Sequence, residues 1–314
     1  MEKRPFLSII LPVYSGETLF KRCLSSLLSQ KSSEDYEIVL SINLDAEEGC
    51  KKLAKEAMEK DPHFVSVMMK EANLAKMVCR LEGVRFSKGE YVTFIDNDDY
   101  YSSEYAIDNI IKEIKKGQSD ITVFPYFISK KGKERLAFAQ NFKAKRLSKE
   151  QAFAKLNHDW SMPHFLWNKA FKRDLFDKEL MVFDHKEDMF EDCVMSVSLL
   201  LNASSFYRSN YAYYCYVVDN PEAATKVSRT DRAYYHLCSY ACEKFYIKKH
   251  FPAFLKYWKH AYLRQASFLL YDSHCDRKSG KGRFFYHLRQ LNKLHRSDDL
   301  SNMDYKDVVE RTIK

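Results

Sequence analysis

The chain has 314 residues, of which 46% are hydrophobic and 30% charged, and its formal net charge is +8 at pH 7. This is a globular composition, and the length suits one large α/β domain with a smaller region, or two domains. The sequence has no run of about 18 apolar residues, so we predict no membrane-spanning helix.

Glycine and cysteine usage argues against two kinds of site. With only eight glycines, the chain has little material for glycine-rich phosphate-binding loops. Its eight cysteines form no CxxC pairs and no Cys/His metal spacing, so we expect free thiols in a reducing cytoplasm and no disulfide framework. The basic and then apolar start, residues 1–16, has a short apolar part that meets Pro12, and it predicts a buried strand rather than a signal peptide.

The first half of the chain alternates apolar runs with amphipathic segments. Apolar runs predict strands at 6–14, 36–44, 64–69, 91–95 and 120–129. Segments with one apolar face predict helices at 17–30, 47–60, 75–87 and 103–116. This alternation is typical of an α/β fold with a mostly parallel sheet flanked by helices.

Polar loops follow three of the predicted strands. Their sequences are "PVYSG" at 12–16, "NLDAEEG" at 43–49 and "DNDD" at 96–99. In sheets of this kind, ligands bind beyond the carboxyl ends of the strands. The three loops therefore predict a binding site at one edge of the sheet.

The acidic loop carries the strongest chemical signal. The apolar run in "EYVTFIDNDDYY", residues 90–101, ends in Asp96, Asp98 and Asp99. Carboxylates this close repel one another unless a positive charge lies among them. One interpretation is a solvated turn after a strand, and the other is a divalent metal site.

The second half is predicted to be mainly helical. A helix, strand character around 165–173 and a helix over 189–202 precede two aromatic-rich helices within 229–296 that Pro252 separates. We place a boundary near residue 220, which gives domains 1–220 and 221–314. No internal repeat or low-complexity segment occurs.

Positive charge is concentrated in the C-terminal region. Residues 225–314 hold 19 Lys and Arg against 9 Asp and Glu. The aromatic residues there are most simply core between helices. The alternative is a membrane-surface face that meets anionic headgroups through Lys248, Lys249, Lys256, Lys259 and Arg264. We expect no nucleic-acid partner, since no recognition motif accompanies the charge.

Four motifs in this order resemble those of a family 2 glycosyltransferase with the GT-A fold, over roughly residues 5–216. They are "LSIILPVYSGETLFKRCLSSLLSQ", "GEYVTFIDNDD", the pair "WNKAFKRDLF" and "FEDCVMSVSLLLNA", and the Tyr-rich "YAYYCY". The second resembles the segment with the family's DxD metal motif. The third contains a Glu-Asp pair like that of the family's acceptor side.

The resemblance implies metal-dependent sugar transfer with inversion at the anomeric carbon. It implies that Asp98 binds Mn²⁺ or Mg²⁺, and that Asp96 contacts the ribose or, through water, the metal. Asp99 is expected either to position Asp96 and Asp98 without binding the metal itself or to lie toward the acceptor. Asp192 is implied as the base that deprotonates the acceptor hydroxyl, with Glu191 beside it.

The resemblance also implies the partners. The donor is a nucleotide-diphosphate sugar, with a UDP-sugar favoured, and the acceptor is a glycan or lipid-linked glycan of a surface polysaccharide. Residues expected at the donor are Pro12, Val13, Tyr14, Arg80, Asp96 and Asn97. The protein is expected in the cytoplasm, and peripheral contact of the basic C-terminal helices with the inner face of the membrane is the alternative to their packing as core.

The loop after the second strand departs from the family pattern. The family has acids where Ile42 and Asn43 stand in "SINLDAEEG", and Asn43 or Asp45 is the expected acceptor for an N–H of the base. Ala75 and Leu81 also replace common family residues. These differences leave open a non-catalytic relative that binds a glycan or a protein. A sugar-1-phosphate nucleotidyltransferase is disfavoured, because it needs a basic, glycine-rich loop after the first strand.

Several site residues have a structural alternative. Glu191 and Asp192 are also favourable at a helix N-terminus, whose dipole stabilises acids. Glu187 and Asp188 form a second pair, although the spacing favours 191–192. Lys169 suits a structural role better than catalysis, and Arg80 also suits the surface of a helix.

Overall fold

The computed structural model describes residues 4–72, 74–137, 143–158, 162–180, 191–220 and 229–258.

The first 94 residues alternate strands and helices as predicted. The elements are β1 (Leu7–Val13), α1 (Glu17–Leu28), β2 (Tyr36–Ile42), α2 (Glu48–Lys60), β3 (Phe64–Met68), α3 (Lys76–Phe86) and β4 (Tyr91–Phe94). All residues of β1, β2 and β4 are buried, as the continuous apolar runs require for strands covered on both faces. Gly16 adopts a left-handed conformation (φ 86°), which glycine tolerates, and α1 begins directly after it.

The remaining described elements are shorter. They are β5 (Tyr100–Tyr101), α4 (Ala106–Gly117), β6 (Ile121–Val123), β7 (Tyr126–Lys130), β8 (Lys133–Leu136), β9 (Lys145–Leu147), α5 (Lys149–His158), β10 (Lys169–Lys172), α6 (Glu191–Asn202), β11 (Phe206–Arg208), β12 (Tyr214–Val217) and α7 (Arg229–His250). Short 3₁₀ helices lie at Arg173–Asp177 and Pro252–Phe254.

The main sheet has eight strands in the order β3-β2-β1-β4-β10-β6-β11-β9. The pairs β1–β2, β2–β3, β1–β4 and β6–β11 are parallel. Only β10 and β9 run antiparallel to the strands beside them. The mostly parallel sheet flanked by helices is therefore confirmed.

The prediction of one strand over 120–129 was wrong. The segment forms two strands in different sheets: β6 joins the main sheet, and β7 joins a four-stranded sheet with the order β5-β12-β7-β8. Pro125 lies between them, and proline has no N–H to donate to a sheet ladder. The break brings β12 beside β5, directly after the acidic loop.

The C-terminal region packs on the same apolar core. Helix α6 is buried from Cys193 to Leu201, and α7 contacts it. Tyr240, Tyr246 and Trp258 are buried in the core cluster, which confirms the core interpretation for these aromatics. The predicted second helix lies largely outside the described residues, and the boundary near residue 220 stays a prediction.

The described basic side chains of this region lie at the surface. Lys248, Lys249 and Lys256 are exposed, whereas Lys259 and Arg264 lie outside the described residues. A membrane contact therefore stays a prediction. None of the helices in the described ranges has the length and apolarity to cross a membrane.

Candidate active site

Two of the polar loops are hydrogen-bonded to each other at the carboxyl edge of the sheet. The Asn43 amide donates to the Val13 carbonyl at 3.1 Å, and the Glu47 amide donates to the Tyr14 carbonyl at 2.8 Å. The Gly16 amide in turn donates to the Glu47 carboxylate at 2.9 Å. The loops after β1 and β2 therefore form one wall.

The acidic loop joins this wall. The side-chain amide of Asn97 donates to the Ser15 carbonyl at 2.6 Å. The convergence predicted for the three loops is thus present in the structure.

Arg80 connects the acidic loop to the start of α6. Its guanidinium, with the residue only 4% exposed, donates to Asp96 at 2.6 Å and to Glu191 at 2.9 Å. Burial alone would lower its pKa, but the charges of Asp96 and Glu191 outweigh burial and raise it. The alternative in which Arg80 lies on the surface of a helix is therefore wrong.

The two predicted metal ligands have opposite electrostatic environments. Burial would raise the pKa of Asp96, but the charge of Arg80 outweighs it and lowers the pKa. Burial and the charge of Asp96 raise the pKa of Asp98. One oxygen of Asp98 accepts a hydrogen bond from the Asn220 side chain at 2.8 Å.

Asp99 has a structural role. It is 1% exposed, and its two oxygens accept hydrogen bonds from the Tyr214 hydroxyl at 2.6 Å and from the Val217 amide at 2.8 Å. Both donors belong to β12. Asp99 therefore fixes the small sheet against the acidic loop.

Asp192 has a raised pKa, as a base that works near neutral pH requires. Burial and then the charge of Glu191 raise its pKa, against the opposing effect of Arg80. A general base is most effective when its pKa lies near the working pH. The second acidic pair, Glu187 and Asp188, lies outside the described residues.

Lys169 is held by the protein itself. It is 1% exposed, and its ammonium donates to the carbonyls of Pro163 and Phe165 and to the Asn168 side chain. Burial lowers its pKa to about 7, but three acceptors for three N–H bonds favour the charged form. This geometry supports the structural interpretation.

The acids leave the site short of positive charge. Asp96, Asp98, Asp99 and Asp192 act on one another, and cations that act on them are Arg80, Lys76 and, on Asp192, Lys169. The described ranges contain no group of three side chains able to hold a metal alone. A divalent ion that takes one or two carboxylates and completes its shell with phosphates fits this arrangement.

The residues expected to contact the nucleotide differ in their exposure to solvent. Pro12 and Val13 are buried, and the hydroxyl of Tyr14 lies beside the Cys79 thiol, where burial raises the pKa of Tyr14. Asp45 is exposed. The side-chain oxygen of Asn43 is buried and accepts no hydrogen bond from the described residues.

The structure brings most of the predicted residues to one place but does not test their roles. Sequence reasoning missed Tyr214 and Asn220, which bind Asp99 and Asp98. It also missed Tyr216, on whose hydroxyl the charges of all three acidic-loop aspartates and Asp192 act. The Tyr-rich motif "YAYYCY" contains both tyrosines, but its sequence pattern predicted only a strand and no contact with the acids.

Comparison with known proteins places the chain among glycosyltransferases. EpsJ of Bacillus subtilis strain 168, described as an uncharacterized glycosyltransferase, is 26% identical over 227 residues, which is 71% of this chain and 64% of EpsJ. The chain thus spans less than two thirds of this relative's length.

Solved structures share the fold. Staphylococcus aureus TarS 1–349 in complex with UDP-GlcNAc has a TM-score of 0.61 and 16% identity, over 95% of this chain and 74% of that chain. The mannosyltransferase PcManGT from Pyrobaculum calidifontis, in complex with GDP-Man and Mn²⁺, has a TM-score of 0.55 and 15% identity, over 100% of this chain and 87% of that chain. At these identities the likeness shows the fold alone, and it confirms the GT-A type.

The sequence itself settles the family. The model described as Glycosyl transferase family 2 matches residues 8–180, which is more than half of the chain. The chain therefore belongs to glycosyl transferase family 2.

Proposed function

We propose that the protein transfers a sugar, with inversion and with a divalent metal, from a nucleotide-diphosphate donor to a hydroxyl of a glycan or lipid-linked glycan. The observation that carries the proposal is the double hydrogen bond of Arg80 to Asp96 and Glu191. It joins the end of β4, where the sugar donor is expected, to the start of α6, where the catalytic base is expected.

Asp98 and Asp96 are the residues that would hold Mn²⁺ or Mg²⁺. Each has one carboxylate oxygen bonded to a protein donor, Asn220 or Arg80, which leaves the second oxygen of each for a cation. When bound, the ion neutralises charge that develops on the departing diphosphate. PcManGT, which shares the fold, was solved with Mn²⁺.

Asp192 takes the proton of the acceptor hydroxyl. The acceptor oxygen then forms its bond to the anomeric carbon as the bond from that carbon to the phosphate oxygen breaks, and the electron pair leaves with the nucleoside diphosphate. A single displacement of this kind inverts the anomeric centre. A positioned base contributes roughly 10²–10⁴ in rate.

The base of the nucleotide binds the wall formed by the loops after β1 and β2. The buried oxygen of Asn43 suits an N–H donor such as that of uracil, and Asp45 lies next to it at the surface. Pro12, Val13 and Tyr14 line the pocket, and Asn97 closes it from the acidic loop. A UDP-sugar is favoured, and TarS, which shares the fold, was solved with UDP-GlcNAc.

The acceptor belongs to surface polysaccharide synthesis. A lipid-linked acceptor would lie at the inner face of the membrane. The exposed Lys248, Lys249 and Lys256 supply charge for peripheral contact with anionic headgroups.

Calorimetric titration tests the donor site. Wild-type protein, Asp98→Ala and the control Asp174→Ala are titrated with UDP, GDP, CDP and dTDP, with and without Mn²⁺. Asp174 is an exposed acid in the 3₁₀ helix beyond β10, where Arg173 bonds to Glu90 at the opposite end of β4. We expect Mn²⁺-dependent binding of UDP that Asp98→Ala loses and Asp174→Ala keeps.

Two results would contradict the proposal. Unchanged Mn²⁺-dependent affinity in Asp98→Ala would remove Asp98 from the metal site. No binding of any nucleotide by the wild type would instead favour the non-catalytic relative that the altered loop at 41–49 leaves open.

A further inference from the structure

Three aromatic side chains form a stack at the small sheet. The Phe165 and Trp167 rings lie 4.7 Å apart with an interplanar angle of 11°, and the Trp167 and Tyr216 rings lie 5.5 Å apart at 16°. The rings of Tyr214, at 4.3 Å and 15°, and of Tyr126, at 4.8 Å and 88°, also contact Trp167. Trp167 is buried, whereas Phe165 and Tyr216 are half-buried and keep part of their surface open. We call Phe165, Trp167 and Tyr216 the aromatic stack.

The aromatic stack is fixed next to the candidate base. Ser196 follows Asp192 by four residues, so both lie on one face of α6. The Ser196 hydroxyl donates to the His164 carbonyl, and the Lys169 ammonium donates to the Phe165 carbonyl. The segment that carries Phe165 is therefore held against the face of α6 that bears Asp192.

Tyr216 places the other end of the aromatic stack beside the acidic loop. Tyr214 and Tyr216 are two residues apart on β12 and lie on one face of it, and the Tyr214 hydroxyl donates to Asp99 and accepts from the Asp96 amide. The charges of Asp99, Asp96, Asp98 and Asp192 also act on the Tyr216 hydroxyl. The position of β12 is itself set by Asp99, which bonds to Tyr214 and Val217 on either side of Tyr216. The aromatic stack thus lies between the acidic loop, which is bonded to β12, and the face of α6 that bears Asp192.

The charges around the aromatic stack disfavour an anionic ligand. Among the described residues, the ionised groups that act on Tyr216 are carboxylates. The nearby cation Lys169 already donates to three protein oxygens. A phosphate group beside the Tyr216 hydroxyl would be repelled by these carboxylates.

A neutral sugar ring fits the same surroundings. The face of an aromatic ring is partly negative and attracts the partly positive C–H groups on one face of a pyranose. The hydroxyls of that sugar can donate to the surrounding carboxylates. Binding sites for small molecules commonly combine an aromatic lining with a few polar groups of this kind.

We infer that the aromatic stack is the acceptor subsite and that it binds a neutral, ring-form sugar rather than a phosphate-linked polyol. The inference rests on the proposed function, because it names the class of acceptor for the same site. It goes beyond that function by assigning acceptor contacts to Phe165 and Tyr216.

Acceptor kinetics with ring-removing variants test the inference. Release of nucleoside diphosphate from the donor is measured alone, with a panel of 4-nitrophenyl pyranosides, and with ribitol phosphate or glycerol phosphate. The variants are Tyr216→Leu and Phe165→Leu, which remove a ring, and Tyr216→Phe, which keeps it. The control is Phe127→Leu, since β7 pairs Cys215 with Phe127, so this half-buried ring lies on the opposite face of the small sheet from Tyr216.

We expect a pyranoside to stimulate release above the rate with water alone. Tyr216→Leu and Phe165→Leu should raise the KM for that pyranoside roughly five- to tenfold, with a smaller change in the KM for the donor. Tyr216→Phe and Phe127→Leu should stay close to wild type in the KM for the pyranoside.

Failure of the inference can be told from failure of the proposed function. Stimulation by the polyol phosphates but by no pyranoside would overturn the inference, as would an unchanged pyranoside KM in both Leu variants. An enzyme that hydrolyses the donor and is stimulated by no acceptor in either set would also overturn it. A wild-type protein that neither binds nor hydrolyses any nucleotide sugar would overturn the proposed function and the inference with it.

Discussion

Arg80 donates a hydrogen bond to Asp96 at 2.6 Å, and the Arg80 side chain is only 5% exposed. The same guanidinium reaches Glu191 at 2.9 Å, so one buried cation serves two carboxylates. Removal of one partner from such a buried arrangement is costly, because the remaining charges lose their partner but stay out of water.

Arg80→Met should therefore lower the free energy of unfolding by about 3–5 kcal/mol. Arg80→Lys should recover only part of the loss, since an ammonium cannot reproduce the planar fork that bonds two carboxylates. Urea unfolding measures both. The control is Arg85→Met on the same helix, where an exposed ion pair with Glu82 should contribute little. Equal effects at positions 80 and 85 would contradict the buried bridge.

The raised pKa of Asp192 predicts an acidic limb in the rate profile. Below this pKa the carboxyl holds a proton and cannot accept another, so kcat/KM should fall about tenfold per pH unit. Asp192→Asn should lose roughly 10²–10⁴ in rate and lose this limb. Measurement of kcat/KM from pH 5 to 9 in the wild type and in Asp192→Asn tests both expectations. Near-normal turnover of Asp192→Asn would place the base elsewhere, with Glu187 and Asp188 next in line.

The bond from Tyr214 to Asp99 predicts a loss of stability on removal of one hydroxyl. Tyr214→Phe leaves an oxygen of a buried carboxyl without its donor, which should lower the free energy of unfolding by about 1–3 kcal/mol. Tyr213→Phe is the control, because the Tyr213 hydroxyl makes a longer contact, 3.5 Å, with the Trp167 carbonyl. In thermal unfolding, the melting temperature of Tyr214→Phe should lie well below that of Tyr213→Phe. The reverse order would show that Asp99 does not depend on β12.

Glu243 predicts a stability that depends on pH. It is 1% exposed, neither of its oxygens has a hydrogen-bond partner among the described residues, and burial raises its pKa well above the ordinary range. An acid whose pKa is raised by folding favours the folded state when protonated. Its contribution is full below the unfolded pKa of about 4.3 and is lost as the pH rises.

Glu243→Met removes this titration at similar volume. At pH 8 the variant should be more stable than wild type by about 1–3 kcal/mol, and the difference should shrink toward pH 5. Urea unfolding at both pH values measures it. Glu59→Met, at an exposed position of α2, should show no such trend. If the free energy of unfolding of Glu243→Met differs from that of wild type by the same amount at both pH values, the carboxyl is ionised and paired in the folded protein.

Much of the fold follows from local pattern. Continuous apolar runs such as that of β1 predict strands buried on both faces, and the acids after β4 mark the edge where ligands bind. Pro125 could have indicated the break, because proline interrupts a ladder. The apolar run on both sides of it nevertheless favoured a single strand. Nothing in the sequence shows which sheet each half joins.

The contacts that organise the site could not be predicted in the same way. Tyr214 and Asp99 are 115 residues apart, and Asn220 and Asp98 are 122 apart. Such pairs depend on how β12 returns to the acidic loop, and neither hydrophobic period nor spacing encodes that. Arg80 is a similar case, since a basic residue on a helix is usually at the surface, and the contact with Glu191, 111 residues further on, is not visible in the sequence.

We propose that the acids at the carboxyl edge of the sheet bind a nucleotide sugar and promote transfer of its sugar. Release of nucleoside diphosphate from UDP-, GDP- and dTDP-sugars, with Mn²⁺ present or chelated, tests it most directly. We predict Mn²⁺-dependent release by the wild type and by the control Asp174→Ala, and strong loss in both Asp98→Ala and Asp192→Asn. Release that survives in both site variants, or that ignores chelation, would contradict the account.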